Sequence, residues 1–146
     1  MPIKGINNVK QALNEAREEK ERQIGRVIFK GFREVQKPTP VDEGTARANW
    51  FLSVGTPSAR YDKDKKTPDD IRIPTNIFGS KLYYTNNTPY ISKLVYGGYK
   101  LLVKKGTYNK HKKVWEIRSI RGYSKQAPNG WVTQAVDVML WNLGKL

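Results

Sequence analysis

Apolar residues recur every three or four positions through the first part of the chain. The set comprises Ile6, Val9, Leu13, Ala16, Ile24, Val27, Ile28 and Val35. This period predicts one long amphipathic helix over about residues 5–35. Its middle, residues 17–23, is charged on all sides, so we expect it to lie in solvent or against another subunit. Pro38 and Pro40 end the helix because proline lacks the amide that a helix requires.

Two glycines and one charged pair add detail to this helix. Gly25 and Gly31 each cost about 1 kcal/mol relative to alanine inside a helix, so we expect them to mark a bend or a close packing contact. Glu18 and Arg22 are four residues apart, which predicts a weakly favourable ion pair on the helix surface.

Shorter elements follow the prolines. Asp42 precedes a short helical run and is placed to cap its first amides. Residues 50–54, "WFLSV", have the composition of a strand, and the Pro-, Gly- and charge-rich segment 55–76 is typical of an exposed loop. Residues 76–87 predict a second strand, with a bulge or bend at Gly79.

Two further helices are predicted from their end signals. Thr88 and Pro89 resemble a cap and a first helical residue, and glycines follow at 97 and 98. Asn129 is available to cap the C-terminal helix. One face of that helix, expected to dock on the core, carries Trp131, Ala135, Val138, Met139 and Leu143. The prediction is a single α+β domain, 1–146, in which a long N-terminal helix and shorter helices pack on a small antiparallel sheet.

Residues 99–123 have a different pattern. The apolar run "LLV" and the alternating run "VWEIRSI" flank a lysine-rich tip. This arrangement predicts a β-hairpin whose loop is longer than a tight turn.

Charge is concentrated in the same part of the chain. The net charge is +14, and residues 81–146 hold twelve lysines and arginines against two acidic residues. Such a field attracts polyanions, whether nucleic acid, an acidic protein surface or an anionic membrane. The N-terminal residues lack the apolar run of a signal peptide, and no segment is apolar enough to span a bilayer. We therefore expect a soluble protein that is made in the cytoplasm.

Catalytic signatures are not found in the sequence. There is no cysteine, and His111 is the single histidine, which disfavours a disulfide framework and a His- or Cys-based metal site. No nucleophile–base pair and no phosphate-binding glycine loop is recognisable. The acidic pairs at 62/64 and 69/70 lie in a lysine-rich loop, where solvated charges are expected. We predict no enzyme activity, no metal and no cofactor.

The candidate binding residues are the cations of the predicted hairpin. They are Lys104, Lys105, Lys110, Lys112, Lys113, Arg118 and Arg121. Aromatic residues are interleaved with them at Tyr99, Tyr108, Trp115 and Tyr123. Lysines neutralise phosphates and aromatic rings stack on bases, which favours nucleic acid. The same residues also suit a protein interface or plain surface, and Trp115 and Ile117 suit a core, so the sequence leaves these alternatives open.

Three blocks of sequence resemble a known family. They are "TPVDEGTARANW" (39–50), "NNTPYISKLVYGG" (86–98) and "SKQAPNGWV" (124–132). In this order they are similar to the neck or tail-completion (head–tail joining) family of tailed bacteriophages, which includes lambda Z-like minor tail proteins. Glu43, Ala46 and Val95 depart from the family pattern. The scaffold positions that match it are Asp42, Gly44, Arg47, Trp50, Pro89, Tyr90, Gly97, Pro128 and Gly130.

The resemblance implies scaffold roles for these positions. We expect Gly44 and Gly97 to allow tight backbone approach. Trp50, together with Trp131, is expected to anchor the core. Proline at 89 and 128 is expected to set the chain direction. Residues 100–122 separate two blocks that are almost adjacent in the family pattern, so this basic hairpin is interpreted as an insertion.

The resemblance also implies a function. Family members are structural virion proteins without catalytic residues, so the expected localisation is the virion neck or tail. The expected partners are further copies of the chain in a ring, six or alternatively twelve, and the adjacent connector and tail-terminator or tail-tube rings. Genomic DNA in the channel is a further possible contact. A tail terminator ring and a free-standing nucleic-acid-binding module are the alternative functions.

Overall fold

The computed structural model describes residues 5–99, 106–127 and 129–146. Lys104, Lys105, Pro128 and the predicted apolar strand at 101–103 lie outside these residues. The elements in chain order are α1 (Ile6–Gln36), α2 (Thr45–Ala48), β1 (Trp50–Val54), β2 (Leu82–Asn86), α3 (Ile91–Tyr96), β3 (Thr107–Asn109), β4 (Val114–Glu116), β5 (Ser119–Ile120), β6 (Tyr123–Ser124) and α4 (Trp131–Leu143). The predicted α+β class is confirmed.

The strands form three two-stranded antiparallel sheets, each from neighbours in sequence. In the first sheet, β1 pairs with β2, and Trp50 lies opposite Asn86. The connection between them, residues 55–81, contains the predicted loop 55–76 and the first residues of the predicted second strand. Because β2 begins only at Leu82, Gly79 is not in a strand as predicted but in a turn before it, where its φ is +75°. The bend is therefore completed before sheet pairing starts.

The core lies between α1, α4 and the β1–β2 sheet. Its buried cluster consists of Phe32, Val35, Trp50, Ala127 and Trp131. Trp50 and Trp131 meet edge to face, with ring centroids 6.5 Å apart. Both rings therefore occupy the core position that the sequence led us to expect.

The two glycines of α1 are close-packing positions, and the helix runs unbroken through both. A Cβ atom on Gly31 would lie 2.6 Å from the Met139 side chain of α4. A Cβ atom on Gly25 would lie 2.8 Å from Ile73. The predicted close packing contact is therefore confirmed at both glycines.

The side-chain caps predicted from sequence do not form. The residues before α2, α3 and α4 are Gly44, Tyr90 and Gly130, and none makes a side-chain cap bond. Gly44 and Gly130 have φ of +90° and +83°, so the chain enters these helices through a left-handed turn, and Asp42 and Asn129 lie one or two positions too early to cap. 

α3 differs from its prediction for a related reason. It begins at Ile91, so Pro89 precedes the helix instead of being its first residue. A turn in which the Ile91 amide donates to the Thr88 carbonyl occupies the predicted first turn. The Thr88 hydroxyl is buried without a hydrogen-bond partner.

Two predicted helix-surface details are also wrong. Arg22 pairs with Glu19, three residues away at 2.8 Å, and not with Glu18. Val138 faces solvent, whereas Val132, Ala135 and Val136 pack against the core. At 100° per residue Val138 is turned about 20° from Trp131, on the side away from Val132, Ala135 and Val136, so it lies at the edge of the packed face.

Candidate functional site

Residues 107–124 form two consecutive hairpins, the second of which ends beyond the predicted insertion 100–122. In the tip hairpin, residues 107–116, β3 pairs with β4 around a four-residue loop. A hairpin is found here, but β3 lies in the segment predicted to be its lysine-rich tip, and the run 114–120, predicted as one strand, is divided between β4 and β5. In the second hairpin, β5 pairs with β6 around Arg121 and Gly122. These two residues have φ of +54° and +84°. Positive φ at both central positions is the pattern of a type I′ turn, which suits the twist of a two-residue hairpin.

One face of the tip hairpin is turned toward the body of the molecule. Asn109 and Glu116 line an open cleft of about 1190 Å³, whose opposite wall includes Asp42 and Glu43. The Glu116 carboxylate accepts a hydrogen bond from the Asn109 amide at 3.1 Å. It also forms an ion pair with the Lys112 ammonium at 3.1 Å. These two groups, in that order, lower the pKa of the Glu116 carboxyl. The negative charge of this face is therefore engaged within the hairpin.

The other face of the tip hairpin is aromatic. Tyr108 and Trp115 are cross-strand partners, and their ring centroids are 5.5 Å apart. Because side chains alternate along a strand, this pair is opposite the Asn109–Glu116 face. Trp115 is 60% exposed and Ile117 is 47% exposed. These exposures exclude the core alternative for both residues.

The cations of the insertion occupy different environments. Lys112 and Arg118 lie beside Glu116. Lys110 and Lys113 are exposed at the tip, and Arg121 is exposed at the second turn. Within the described ranges these three make no salt bridge. Lys113 and Arg121 both have φ of +54°, and the only other non-glycine residue with positive φ in the described chain is an asparagine.

The three blocks that carry the family resemblance meet in the core. The Asn86 amide of the second block donates to the Ala46 carbonyl of the first at 2.8 Å. The Trp131 indole of the third block donates to the Leu94 carbonyl of the second at 3.0 Å. The Trp50–Trp131 contact joins the first block to the third. The blocks are therefore parts of one packing unit.

Hydrogen bonds from the first block tie it to the end of α1. Arg47 Nη2 donates to the Lys37 carbonyl at 2.7 Å and to the Thr39 carbonyl at 3.0 Å. Thr39, fully buried, accepts a hydrogen bond from the Trp50 indole at 2.9 Å and donates to the Val35 carbonyl. This network holds the turn that reverses the chain after the long helix.

Two family glycines lie at close backbone approaches. A Cβ atom on Gly44 would be 2.7 Å from the Lys66 carbonyl oxygen. One on Gly97 would be 2.9 Å from the carbonyl oxygen of Gly122, which accepts hydrogen bonds from the amides of Gly98 and Tyr99. The second hairpin is therefore anchored to the end of α3. The remaining two family positions in the described chain, Pro89 and Tyr90, are exposed.

An exposed apolar stripe runs along the start of α1. We call residues 6–16 the arm, and every residue in it is exposed. Ile6, Val9 and Leu13 are 42%, 61% and 65% exposed. Leu13 is 18 residues, five full turns, before Gly31, so it points in the same direction as the glycine that packs on α4. The arm stripe therefore continues the face of α1 that α4 covers.

Helix α4 stops short of the arm and has an exposed apolar flank of its own. The last residue of the chain reaches Lys20, whose ammonium donates to the Leu146 carbonyl at 2.6 Å. Val138 and Trp141, one turn apart on α4, are 56% and 67% exposed. Sequence reasoning missed Trp141 as a surface residue. The helical period places Trp141 outside the predicted apolar face of α4, and this position predicts that its side chain is exposed.

Comparison of the chain with protein-family models, with curated proteins and with solved structures found no match. Across the described ranges, no three His, Asp or Glu side chains are grouped to hold a metal ion. In the same ranges, no helix has both the length and the apolar character needed to cross a membrane. The geometry described above is therefore the basis for the functional proposal.

Proposed function

We propose that the protein is a structural subunit of a ring at the head–tail joint of a tailed bacteriophage. Copies of the chain associate side by side around a DNA channel, between a connector ring and a tail-terminator or tail-tube ring. The ring is part of the virion and performs no catalysis. The resemblance of the three sequence blocks supports the assignment to this family, and the exposed arm supports self-association.

The arm is the observation that carries the proposal. Most helical stability in a protein comes from packing of an apolar face, and every residue of the arm is exposed, so the monomer stabilises this part of α1 little. Its first residue follows Gly5, there is no side-chain cap, and the first turn has no acidic residue to interact with the helix dipole. Burial of its three large apolar side chains against a partner would supply the missing stabilisation.

A ring follows from the positions of the two apolar surfaces. The arm stripe and the Val138–Trp141 flank lie on different parts of one molecule. When the stripe of one copy covers the flank of the next, the contact is heterologous, and repeated heterologous contacts close into a ring if the rotation allows it. The aromatic ring of Trp141 suits the centre of such an interface because indole offers a large apolar area.

The test is the mass of the purified protein in solution, measured by light scattering without DNA. We expect a discrete oligomer, with six copies giving six times the 16.8 kDa of one chain. The double substitution Val9→Glu and Leu13→Glu should produce monomers, because it places two charges in the buried stripe. Trp141→Ala should weaken assembly through the opposite side of the same contact.

The matched control adds the same charge to the other side of the arm, at Asn7→Glu and Gln11→Glu. In the helix Asn7 is about 120° and Gln11 about 160° from Leu13, so both lie off the stripe and the control should assemble as wild type does. Electron microscopy of the oligomer should show closed rings. A wild-type chain that stays monomeric at high protein concentration, or a control that dissociates as completely as the stripe variant, would contradict the proposal.

A further inference from the structure

We propose that the tip hairpin is a sequence-independent binding site for duplex DNA, in which its lysines contact backbone phosphates. The site is built from residues of a single copy. It therefore goes beyond the proposed ring function and can be tested without a ring.

The charge of the insertion fits a polyanionic ligand. Residues 106–125 hold six lysines and arginines and one acidic residue, Glu116. Glu116 is paired with Lys112 and hydrogen-bonded to Asn109, so it offsets that one lysine and leaves the charges of Lys110 and Lys113 without an acidic partner among the described residues. Lys110 and Lys113 are exposed in the loop that joins β3 and β4. The tip is thus accessible to an extended ligand.

Backbone conformation also singles out the tip cation Lys113. A left-handed conformation costs a side-chain-bearing residue about 1–2 kcal/mol, and glycine or asparagine would occupy the position with less strain. Lysine at this position makes the folded state less stable than glycine or asparagine would, and it places a positive charge at the end of the loop. Arg121, at the second hairpin turn, repeats the same choice. Strain of this kind at an exposed position indicates a functional demand on the side chain.

The kind of cation favours phosphate over an acidic protein surface. Residues 110, 112 and 113 are lysines, and lysine is depleted in protein–protein interfaces whereas arginine is enriched. Lysine neutralises phosphates as a point charge. A two-stranded β-ribbon has a width that the major groove of duplex DNA accommodates.

The tip offers no free amide side chain with which to read adenine, and its lysines are assigned to phosphates. Asn109 is the one tip residue with an amide of the type that reads adenine, and that amide is occupied. Its nitrogen donates to Glu116, and its oxygen accepts the backbone amides of His111 and Lys112 at 3.0 and 3.1 Å. We therefore expect affinity without sequence preference.

The experiment is fluorescence anisotropy of a labelled short duplex titrated with the full chain at several salt concentrations. Log affinity should fall with log salt by about 0.9 for each phosphate contacted. The double variant Lys110→Gln and Lys113→Gln should reduce that slope by about 1.8 and lower the affinity at low salt. The control, Lys30→Gln and Lys81→Gln, removes the same charge from exposed sites outside the insertion and should change the slope much less.

Two further titrations distinguish duplex DNA from other ligands. A single strand of equal length offers the same phosphates together with unpaired bases on which Trp115 can stack. Tighter binding of the single strand, abolished by Trp115→Ala, would overturn the duplex assignment. Binding of a poly-glutamate peptide in preference to DNA would overturn it in favour of an acidic protein partner.

The outcome is separable from that of the ring proposal. Light scattering without DNA should give the same mass for the Lys110→Gln, Lys113→Gln variant as for wild type. A monomer that binds duplex through these lysines would refute the ring and leave this site standing. Duplex binding that the tip variant and the control weaken equally would refute the site, whatever the oligomeric state.

Discussion

The two halves of helix α1 have the same apolar period but opposite environments. In the C-terminal half, Ile28, Phe32 and Val35 are buried, with exposures of 5%, 0% and 1%. In the arm, Ile6, Val9 and Leu13 are 42% to 65% exposed. The difference arises because α4 and the β1–β2 sheet cover one half and end before the other. An amphipathic period thus shows that a face needs a partner, and the tertiary structure shows which part of it already has one.

The largest expected effect is on the free energy of unfolding, when one buried and one exposed apolar side chain of α1 are truncated. Phe32→Ala should lower the free energy of unfolding by about 3–5 kcal/mol, because it leaves a cavity in the core beside Tyr84. Leu13→Ala should change the stability of the monomer by no more than about 0.5 kcal/mol, because no core packing is lost. Urea unfolding at protein concentrations below assembly measures both. Equal losses would mean that the arm is packed within the monomer.

The next effect concerns the glycine between α1 and α4. Gly31→Leu should lower the free energy of unfolding by about 1–3 kcal/mol, since even a Cβ atom would lie 2.6 Å from Met139. Ala12→Leu, the matched change in the arm, should stay within about 0.5 kcal/mol of wild type.

A compensating variant sharpens this result. Met139→Ala removes the Cγ and Sδ atoms, which would lie 2.6 Å from a Cβ at Gly31, and leaves only the Met139 Cβ at 2.8 Å, so the two changes together should cost less than the sum of their separate effects. Additive losses in urea unfolding would show that α4 does not pack against Gly31.

The smallest effect is a pH dependence at the packed half of α1. Burial raises the pKa of the Tyr84 phenol, whose hydroxyl donates to the Ile28 carbonyl. The folded state holds this proton more tightly than the unfolded chain, in which tyrosine has a pKa of about 10. The resulting stabilisation is complete below pH 10 and is lost as pH rises above it.

Comparison of wild type with Tyr84→Phe isolates this group. At pH 7 wild type should be more stable by about 1 kcal/mol, through the hydrogen bond. By pH 11 wild type should have lost up to about 1.4 kcal/mol relative to the variant, less the part that solvent screens at this half-buried ring. Urea unfolding at the two pH values measures the change. A constant difference would mean that Tyr84 titrates as an exposed tyrosine does.

Much of the fold was predictable because the signals were local. The 3.6-residue period identified α1 and the docked face of α4, and alternation with turn residues identified the tip hairpin. The helix starts were not predictable. Asp42, Thr88 and Asn129 have the right chemistry for caps. Left-handed glycines precede α2 and α4, a turn precedes α3, and none of the three helices has a side-chain cap bond. Whether a side chain caps depends on backbone angles that residue type alone does not specify.

The candidate site, like the fold, was predictable from the sequence only in part. Its cations and aromatic residues could be named from the sequence because the charge and type of a residue do not depend on the fold. Which of them face outward depended on strand pairing, since a shift of one residue would exchange the Tyr108–Trp115 face with the Asn109–Glu116 face. The neutralisation of Glu116 and the engagement of the Asn109 amide likewise depend on that register.

The sequence by itself determined the α+β class, the long helix, the concentration of positive charge and the three blocks that form one core. These follow from periodicity and residue chemistry, which act over a few neighbouring positions. The tertiary structure alone decided where α4 ends on α1, and therefore that the arm stripe and the Trp141 flank remain uncovered. That outcome depends on the relative lengths and directions of elements more than 100 residues apart, joined by the Lys20–Leu146 contact. No local pattern encodes such a distance.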